Sequence, residues 1–325
     1  MAIAMLLVWT APLTATEPGV TSLANPGVNY RQAAGHYAVL SAGDVRAVIV
    51  DNDAVDDATL PKHRAGYNGI ASLTHAKQPR NVFVPSFAGV NFEHIHDGAT
   101  DRLREKFEPR KAPLELRIID ERTVELYQPP TPHFHLESCG RYQMLPSGVI
   151  EYTFECVPRE PNFSKGYIGL FWASYIHEPA EKVIHFRGRS RGDDAPGAWL
   201  VGRTPQHGVL SSHRPAGWQD ALAPIDDDFP LTLVNHPSNV EHTDNWYFGV
   251  CRDMALVQIF RKRDRVHLAQ SPTGGGAGNP AWDFQWFQPN CEVGKLYRLV
   301  MRVAYLPYRS VEQLEADVAP YRFAE

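Results

Sequence analysis

Short apolar and β-branched runs separated by glycine or proline turns dominate the chain. Residues 37–40 and 45–50 flank Ala42-Gly43-Asp44, a pattern typical of a β-hairpin. Two more hairpins are predicted, pairing 114–119 with 123–127 and 142–145 with 149–157. Further strand-like runs cover residues 167–176, 182–186, 231–234, 246–252, 254–261, 266–270, 282–287 and 296–305.

Helical patterns are few. Residues 100–107 predict one short helix, and Ser310-Val-Glu-Gln313 is a capping box that predicts a helix near the C-terminus. The 26 prolines and 24 glycines are spread along the chain, as turns between many short strands require. We therefore predict an all-β fold, a large antiparallel β-sandwich of roughly 16 to 20 strands with a short C-terminal helix. Residues 17–325 would form its single domain.

Composition supports a folded chain and excludes one class of partner. Of the 325 residues, 43% are hydrophobic, enough for a large core, and the net charge of −5 does not favour binding to nucleic-acid phosphates. Cysteines 139, 156, 251 and 291 include no Cys-x-x-Cys pair, which disfavours a zinc ribbon or a thioredoxin-type site. Two disulfides and four buried thiols both remain open.

The first 16 residues resemble a secretory signal. An apolar run is followed by small residues around Thr14, Ala15 and Thr16, although no basic segment precedes it. The run is too short to span a bilayer, which needs about 20 apolar residues. The pattern favours a periplasmic or secreted protein, and an ordinary N-terminal arm is the alternative.

Several segments resemble galactose-mutarotase-like enzymes, a carbohydrate-active superfamily. The segments are Val45-Arg-Ala-Val-Ile-Val, Gly66-Tyr-Asn-Gly-Ile-Ala-Ser-Leu, Asn81-Val-Phe-Val-Pro, Trp282-Asp-Phe-Gln-Trp and Gly294-Lys-Leu-Tyr-Arg-Leu. The resemblance extends over residues 36–305 and implies a β-supersandwich with a carbohydrate ligand. The superfamily includes epimerases, polysaccharide lyases and glycosidase domains, so it implies no single reaction. It assigns the late catalytic histidine to His242 and matches no residue to the glutamate base.

The densest polar cluster is Asn91-Phe-Glu93-His94-Ile-His96-Asp97-Gly98. Residues i and i+2 of a strand share a face, so His94 and His96 are predicted to point the same way. Glu93 would point the opposite way unless a bulge intervenes. His133 and His135 repeat the spacing.

The two histidine pairs allow three interpretations. They are acid–base groups of a metal-free sugar site, ligands of a divalent metal in a cupin-like site, or structural residues. With Glu93 and His242, we take His94, His133 and His135 as candidate catalytic residues. In the alternative, His94, His96, His133 and His135 bind the metal.

Other residues are candidates for binding substrate. Tyr67, Asn68 and Asn91 would orient a sugar, although Tyr67-Asn68-Gly69 is also an ordinary turn signal. Arg187 would hold a uronate or a sulfate, or it would lie on a solvated strand edge. Trp246 and Trp286 would stack on a sugar ring, or they would pack in the core.

No serine-hydrolase, zinc-protease, phosphate-loop or dinucleotide-binding motif is present. Three functions remain. The first is an enzyme that acts on a sugar or oligosaccharide as an epimerase, lyase or hydrolase. The others are a metal-dependent cupin-like enzyme and a non-catalytic glycan-binding module. The sequence predicts no nucleic-acid partner and no membrane span, and it leaves the oligomeric state open.

Overall fold

The computed structural model describes residues 18–219, 225–229, 236–276 and 278–324. The signal-like residues 1–16 and the strand-like run 231–234 lie outside them. The strands are β1 (Arg31–Gln32), β2 (Tyr37–Ala42), β3 (Val45–Val50), β4 (Gly69–His75), β5 (Asn91–His96), β6 (Glu115–Ile118), β7 (Thr123–Gln128), β8 (Leu136–Met144), β9 (Ile150–Pro158), β10 (Tyr167–Ala173), β11 (Ile184–Ser190), β12 (Ala198–Gly202), β13 (Ser212–Pro215), β14 (Pro237–Cys251), β15 (Met254–Phe260), β16 (His267–Ser271), β17 (Ala281–Pro289) and β18 (Tyr297–Pro307).

Helices are few and short, as predicted. The predicted helix at 100–107 is a 3₁₀ helix, Thr100–Phe107, and leads directly into α1 (Glu108–Lys111). The C-terminal helix is α2 (Val311–Val318), where the Ser310 side chain accepts a hydrogen bond from the Gln313 N–H as the capping box predicts. Two further 3₁₀ turns cover Lys262–Asp264 and Ala319–Tyr321.

Most strands belong to one large sheet. Across the described residues it has 15 strands, with the order β1-β6-β7-β8-β9-β18-β15-β14-β13-β16-β17-β10-β5 and with β11 and β12 branching from β14. A second sheet has the order β2-β3-β4. The three predicted hairpins form β2–β3, β6–β7 and β8–β9. The predicted all-β fold is confirmed.

The large sheet folds over itself to form two layers around one core. Trp172 on β10 stacks on Phe284 of the neighbouring β17, with ring centroids 5.0 Å apart. The same indole also contacts Phe154 at 5.0 Å and donates a hydrogen bond to the Tyr152 hydroxyl. Both residues lie on β9, which is far from β10 in the strand order. The strands at the two ends of the order therefore face each other, as in a sandwich.

The N-terminal arm, residues 18–22, is bound by two buried glutamates. Glu155 accepts hydrogen bonds from the Val20 and Thr21 backbone N–H groups and from the Thr21 hydroxyl, and Glu125 accepts from Ser22. Both glutamate side chains are fully buried, and an arginine pairs with each. The arm thus supplies donors that two buried carboxylates need.

The four cysteines are free thiols, and three of them are buried. Burial raises the pKa values of all four thiols, which keeps them protonated. No helix among the described residues has the length and apolar character needed to cross a bilayer.

Candidate active site

A β-bulge in β5 places Glu93 beside His94. The register with β10 pairs His94 with Phe171 and Phe92 with Trp172, so Glu93 is the extra residue between two pairs. Phe92 points into the core, while Glu93 Oε1 lies 3.6 Å from His94 Nε2. The bulge therefore brings onto one face two side chains that regular alternation would separate.

Glu93 is the centre of a buried hydrogen-bond network. Its carboxylate accepts a 2.6 Å bond from the Tyr175 hydroxyl and a 3.0 Å bond from the Asn91 amide. Its other oxygen lies 3.4 Å from Arg110 Nη1. Arg110 is positioned because its Nε donates to the Gly66 carbonyl at 2.7 Å. The predicted residues Glu93 and Asn91 therefore meet, and Tyr175 and Arg110 join them.

Burial shifts both acids, Glu93 and Tyr175, toward their neutral forms. Burial raises the pKa of Glu93, against the opposing effects of Arg110 and Tyr175. Burial, together with the Glu93 carboxylate, raises the pKa of Tyr175 well above its usual value. A carboxyl group with a raised pKa keeps its proton to a higher pH than a solvated carboxyl group does, and a protonated tyrosine remains a hydrogen-bond donor.

Three half-buried aromatic rings pack together beside Glu93. We call Tyr67, Phe87 and Tyr175 the aromatic cluster: the ring centroids of Tyr67 and Phe87 are 4.5 Å apart, and those of Phe87 and Tyr175 are 4.9 Å apart. Arg110 stacks on Tyr67 with its guanidinium carbon 3.8 Å from the ring centroid. Such aromatic surface next to polar groups suits the apolar face of a sugar ring. Tyr67, a predicted binding residue, thus contacts Tyr175, which bonds Glu93.

His94 and His96 lie on one face of β5, as predicted, and both are buried. No ring nitrogen of either has a hydrogen-bond partner. Burial lowers the pKa of both, that of His96 to about 4, and nearby Lys106 adds to the effect. A Cβ on Gly169 would lie 2.6 Å from the His96 ring, so the ring rests on that glycine. Both imidazoles are therefore neutral near neutral pH, and each can act as one hydrogen-bond donor and one acceptor.

The histidine face continues across the sheet. His94 pairs with Phe171, Phe171 with Gln285, and Gln285 with His267 on β16. Residues directly opposite each other point to the same face, so these four side chains form one line, which we call the polar row. It crosses three strand spacings, about 14 Å. His267 is buried, and its Nε2 has no partner.

Sequence analysis missed Asp283, a buried carboxyl group on the same face. Its Oδ1 accepts the Ser174 N–H at 3.0 Å. Burial raises its pKa well above the usual value, and the nearby charge of Glu93 adds to that effect. The only sequence signal was one acidic residue inside the aromatic run Trp282-Asp-Phe-Gln-Trp. Glu93 and Asp283 are therefore two buried carboxyl groups, and the charge of Glu93 raises the pKa of Asp283.

His133 and His135 lie elsewhere, in the turn before β8. His133 Nδ1 is 2.7 Å from Glu108, and His135 Nδ1 is 3.0 Å from Glu160. Among the described residues, two groups bring three ligand atoms within 4.8 Å of one another: Glu105, Glu108 and His133, and His36, Asp51 and Asp53. The predicted metal set His94, His96, His133 and His135 is not assembled, because His133 pairs with the buried Glu108 and His135 with the exposed Glu160.

Asn68 and His242 have structural partners. The Asn68 amide donates to the Phe92 carbonyl at 3.1 Å and accepts the Phe92 N–H at 3.0 Å, so it fixes the start of β5 rather than binding substrate. His242 is buried with each ring nitrogen 2.9 Å from a backbone carbonyl, those of Asp244 and Val266. Its imidazole is therefore occupied, and we remove both residues from the candidate site.

Three more predicted binding residues lie outside the site. Trp246 is buried under the C-terminal helix in a core cluster with Leu314 and Val318. Trp286 is buried in the main core and faces away from the polar row. Arg187 lies 3.7 Å from Glu315 on that helix. Their aromatic or basic character is used for packing and for docking the helix.

The buried histidines predict sensitivity to acid. His96 has a pKa of about 4 in the folded protein and about 6.5 when unfolded, so between these pH values only the unfolded chain binds its proton. Its contribution to stability is present above pH 6.5 and is lost as pH falls to 4, by up to about 3 kcal/mol. Urea unfolding at pH 7, 6 and 5 should show a shallower pH dependence for His96→Gln than for the natural chain. Parallel curves would contradict the assignment.

No protein-family model matches the chain, and no curated protein matches it. Solved structures do resemble it. A putative aldose 1-epimerase from Escherichia coli K12 has 10% identity and a TM-score of 0.46, with 84% of this chain and 99% of that chain covered. An α-N-acetylgalactosaminidase from Bifidobacterium bifidum has 14% identity and a TM-score of 0.48, over 87% of this chain. The heparan sulfate lyase HepC mutant from Pedobacter heparinus has 11% identity and a TM-score of 0.42, over 88% of this chain. This chain spans 38% of each of the last two proteins.

Proposed function

We propose that this chain is an enzyme that acts on a sugar or oligosaccharide by acid–base catalysis at Glu93. The observation that carries the proposal is the buried Glu93 carboxyl group, which has a raised pKa and lies between the Tyr175 hydroxyl and the Arg110 guanidinium. A solvated structural ion pair would instead keep the carboxylate ionised.

The surrounding residues suit a ligand rich in hydroxyl groups. Neutral imidazoles offer one donor and one acceptor each, and His94 Nε2 lies 3.6 Å from Glu93 Oε1, with His96 on the same face of the strand. The aromatic cluster gives a sugar ring an apolar surface to stack on. Arg110 beside Glu93 stabilises negative charge that develops as a proton is removed. Proton transfer at a sugar is common to epimerisation, elimination and hydrolysis.

A panel of monosaccharides and oligosaccharides tests the proposal. Anomer exchange measured by NMR reports epimerisation, ultraviolet absorbance reports an unsaturated elimination product, and new reducing ends report hydrolysis. Binding without any product by calorimetry would overturn the enzyme and identify a glycan-binding module. Turnover that requires added divalent metal would favour the metal-dependent alternative.

Tyr175→Phe should lower kcat by about 10- to 100-fold, because it removes a charge-assisted hydrogen bond from Glu93 worth roughly 1.5–3 kcal/mol. Tyr127→Phe is the matched control, since the Tyr127 hydroxyl donates to Glu137 at the same distance, 2.6 Å, outside the site. The measurement is steady-state kinetics on the best substrate of the panel. Equal losses in the two variants would show that Tyr175 acts only through stability.

A further inference from the structure

One buried glutamate pairs with a histidine where the others pair with an arginine. Six glutamates are buried among the described residues, and five of them form an ion pair with an arginine: Glu93, Glu125, Glu137, Glu155 and Glu241. The sixth, Glu108, is 3% exposed, and its ion pair is with His133. Buried charges are paired or coordinate metals, because an isolated carboxylate is costly to remove from water. Glu108 therefore differs from the other five in what balances its charge.

Three ligand atoms meet at Glu108. His133 Nδ1 lies 2.7 Å from Glu108 Oε1 and 3.5 Å from Glu105 Oε2, and the ligand atoms of the three residues lie within 4.8 Å of one another. Donor atoms of a tetrahedral zinc site are about 3.3 Å apart, because each bond is about 2.0–2.1 Å long. Glu105 and His133 are partly exposed, so small rotations of their side chains would bring all three donors to that spacing.

The local fold holds these residues together. Glu105 and Glu108 are three positions apart where the 3₁₀ helix leads into α1, so their side chains lie on one face of the segment. Glu108 accepts the backbone N–H groups of His133 and Phe134 at 2.7 and 3.1 Å, which fixes the turn before β8 against the helix. Arg102 donates to the His133 carbonyl at 3.0 Å. The two segments are thus already joined, and little further ordering is needed for an ion to bind.

We propose that Glu105, Glu108 and His133 bind a Zn²⁺ ion, with water as the fourth ligand. One imidazole nitrogen and two carboxylate oxygens are ligands that zinc accepts, whereas Ca²⁺ and Mg²⁺ prefer oxygen ligands. The ion supplies to Glu108 the positive charge that an arginine supplies to each of the other buried glutamates. His133 alone can do this only while it is protonated, whereas a bound ion does so with the imidazole neutral.

The ion would also tie the helical segment to the turn before β8. The same segment carries Phe107, whose ring centroid lies 4.5 Å from that of His94, and Arg110, which lies 3.4 Å from Glu93. Zinc at this position is therefore a structural ion that holds the segment against β5. The inference does not rest on the proposed function, because neither the ligands nor the charge argument involves a sugar.

Calorimetry of Zn²⁺ binding to the full chain, produced without a polyhistidine tag, tests the proposal. We expect one equivalent of Zn²⁺ to bind and Tm to rise by about 4 °C when free Zn²⁺ is about 100 times Kd. Ca²⁺ at the same concentration should not raise Tm. His133→Ala and Glu105→Gln should each raise Kd for Zn²⁺ at least about 10-fold, because each removes one of three protein ligands. Both side chains are partly exposed, so both variants should fold.

His135→Ala is the matched control, since His135 faces Glu160 in the same turn, and its Kd should stay within about 2-fold of the natural chain. His36→Ala tests the other group of three ligand atoms, which His36 forms with Asp51 and Asp53. A loss of affinity in His36→Ala but not in His133→Ala would overturn the proposal. Equal stabilisation by Ca²⁺, or no saturable Zn²⁺ binding, would also overturn it. All readouts are taken without saccharide, so such a failure leaves the proposed role of Glu93 standing.

Discussion

Glu93→Gln is expected to lower turnover by about 10²- to 10⁴-fold, the usual contribution of a general acid or base. Glutamine keeps the size of the side chain and can still bond Tyr175 and Asn91, so the fold should persist. It cannot exchange a proton with substrate. The check is kcat/KM on the best substrate, together with urea unfolding to confirm stability.

The pH profile separates proton transfer from simple positioning. Because burial raises the pKa of Glu93, the natural chain should show a limb in kcat/KM above pH 4.5, the ordinary pKa of this carboxyl group, if the proposed function holds. Activity rises with pH across that limb if Glu93 is the base, and falls if it is the acid. The residual activity of Glu93→Gln should lack the limb.

Glu137→Gln is the matched control for this experiment. Glu137 also accepts a hydrogen bond from a tyrosine, Tyr127, and pairs with an arginine, Arg159. It therefore reproduces the charge and bonding of Glu93 outside the site. A folded Glu93→Gln variant with activity within about threefold of the natural chain would eliminate Glu93 as the catalytic group, and so would an equal loss in Glu137→Gln.

Removal of residues 1–22 should lower the free energy of unfolding by about 3–5 kcal/mol, because two buried carboxylates each lose hydrogen bonds worth roughly 1.5–3 kcal/mol. Without the arm, Glu155 and Glu125 lose donors from Val20, Thr21 and Ser22 while their carboxylates stay buried. Urea denaturation at pH 7 measures the change.

A chain that begins at Pro18 is the control, because it keeps every one of these hydrogen bonds. Its stability should match that of the full chain within about 0.5 kcal/mol. Thr21→Val tests one link alone, since it removes the hydroxyl that lies 2.6 Å from Glu155 but keeps the side-chain volume. If removal of residues 1–22 costs less than about 1 kcal/mol, the arm is not structural.

Local sequence patterns predicted the strands and part of the site. Alternation in β5 placed His94 and His96 on one face. Glu93 was expected to share that face only if a bulge intervened, and the bulge is present. The bulge itself could not be predicted, because its position is set by pairing with β10, which lies about 75 residues further along the chain. Asp283 was missed for a related reason. Polar residues that alternate with aromatics are typical of a solvated sheet face, whereas this face is buried.

The same alternation rule failed at His133 and His135. It assumes an extended strand, yet Pro129, Pro130 and Pro132 precede the pair, and β8 begins only at Leu136. His135 adopts φ +50°, a turn conformation. The tryptophans show a different limit of prediction from sequence. An indole on a strand suits both the protein core and contact with a sugar. Only the packing of the C-terminal helix against Trp246 shows that this residue belongs to the core.

The place of β18 in the large sheet has a consequence for synthesis of the chain. This late strand pairs with β9 on one side and β15 on the other. Until β18 leaves the ribosome, β9 and β15 each expose an unpaired edge, and no strand joins the two halves of the large sheet. Fragments that stop before residue 297 should therefore associate edge to edge and sediment as aggregates. The large sheet is therefore complete only after β18 has been synthesised, and a truncated translation product cannot form it.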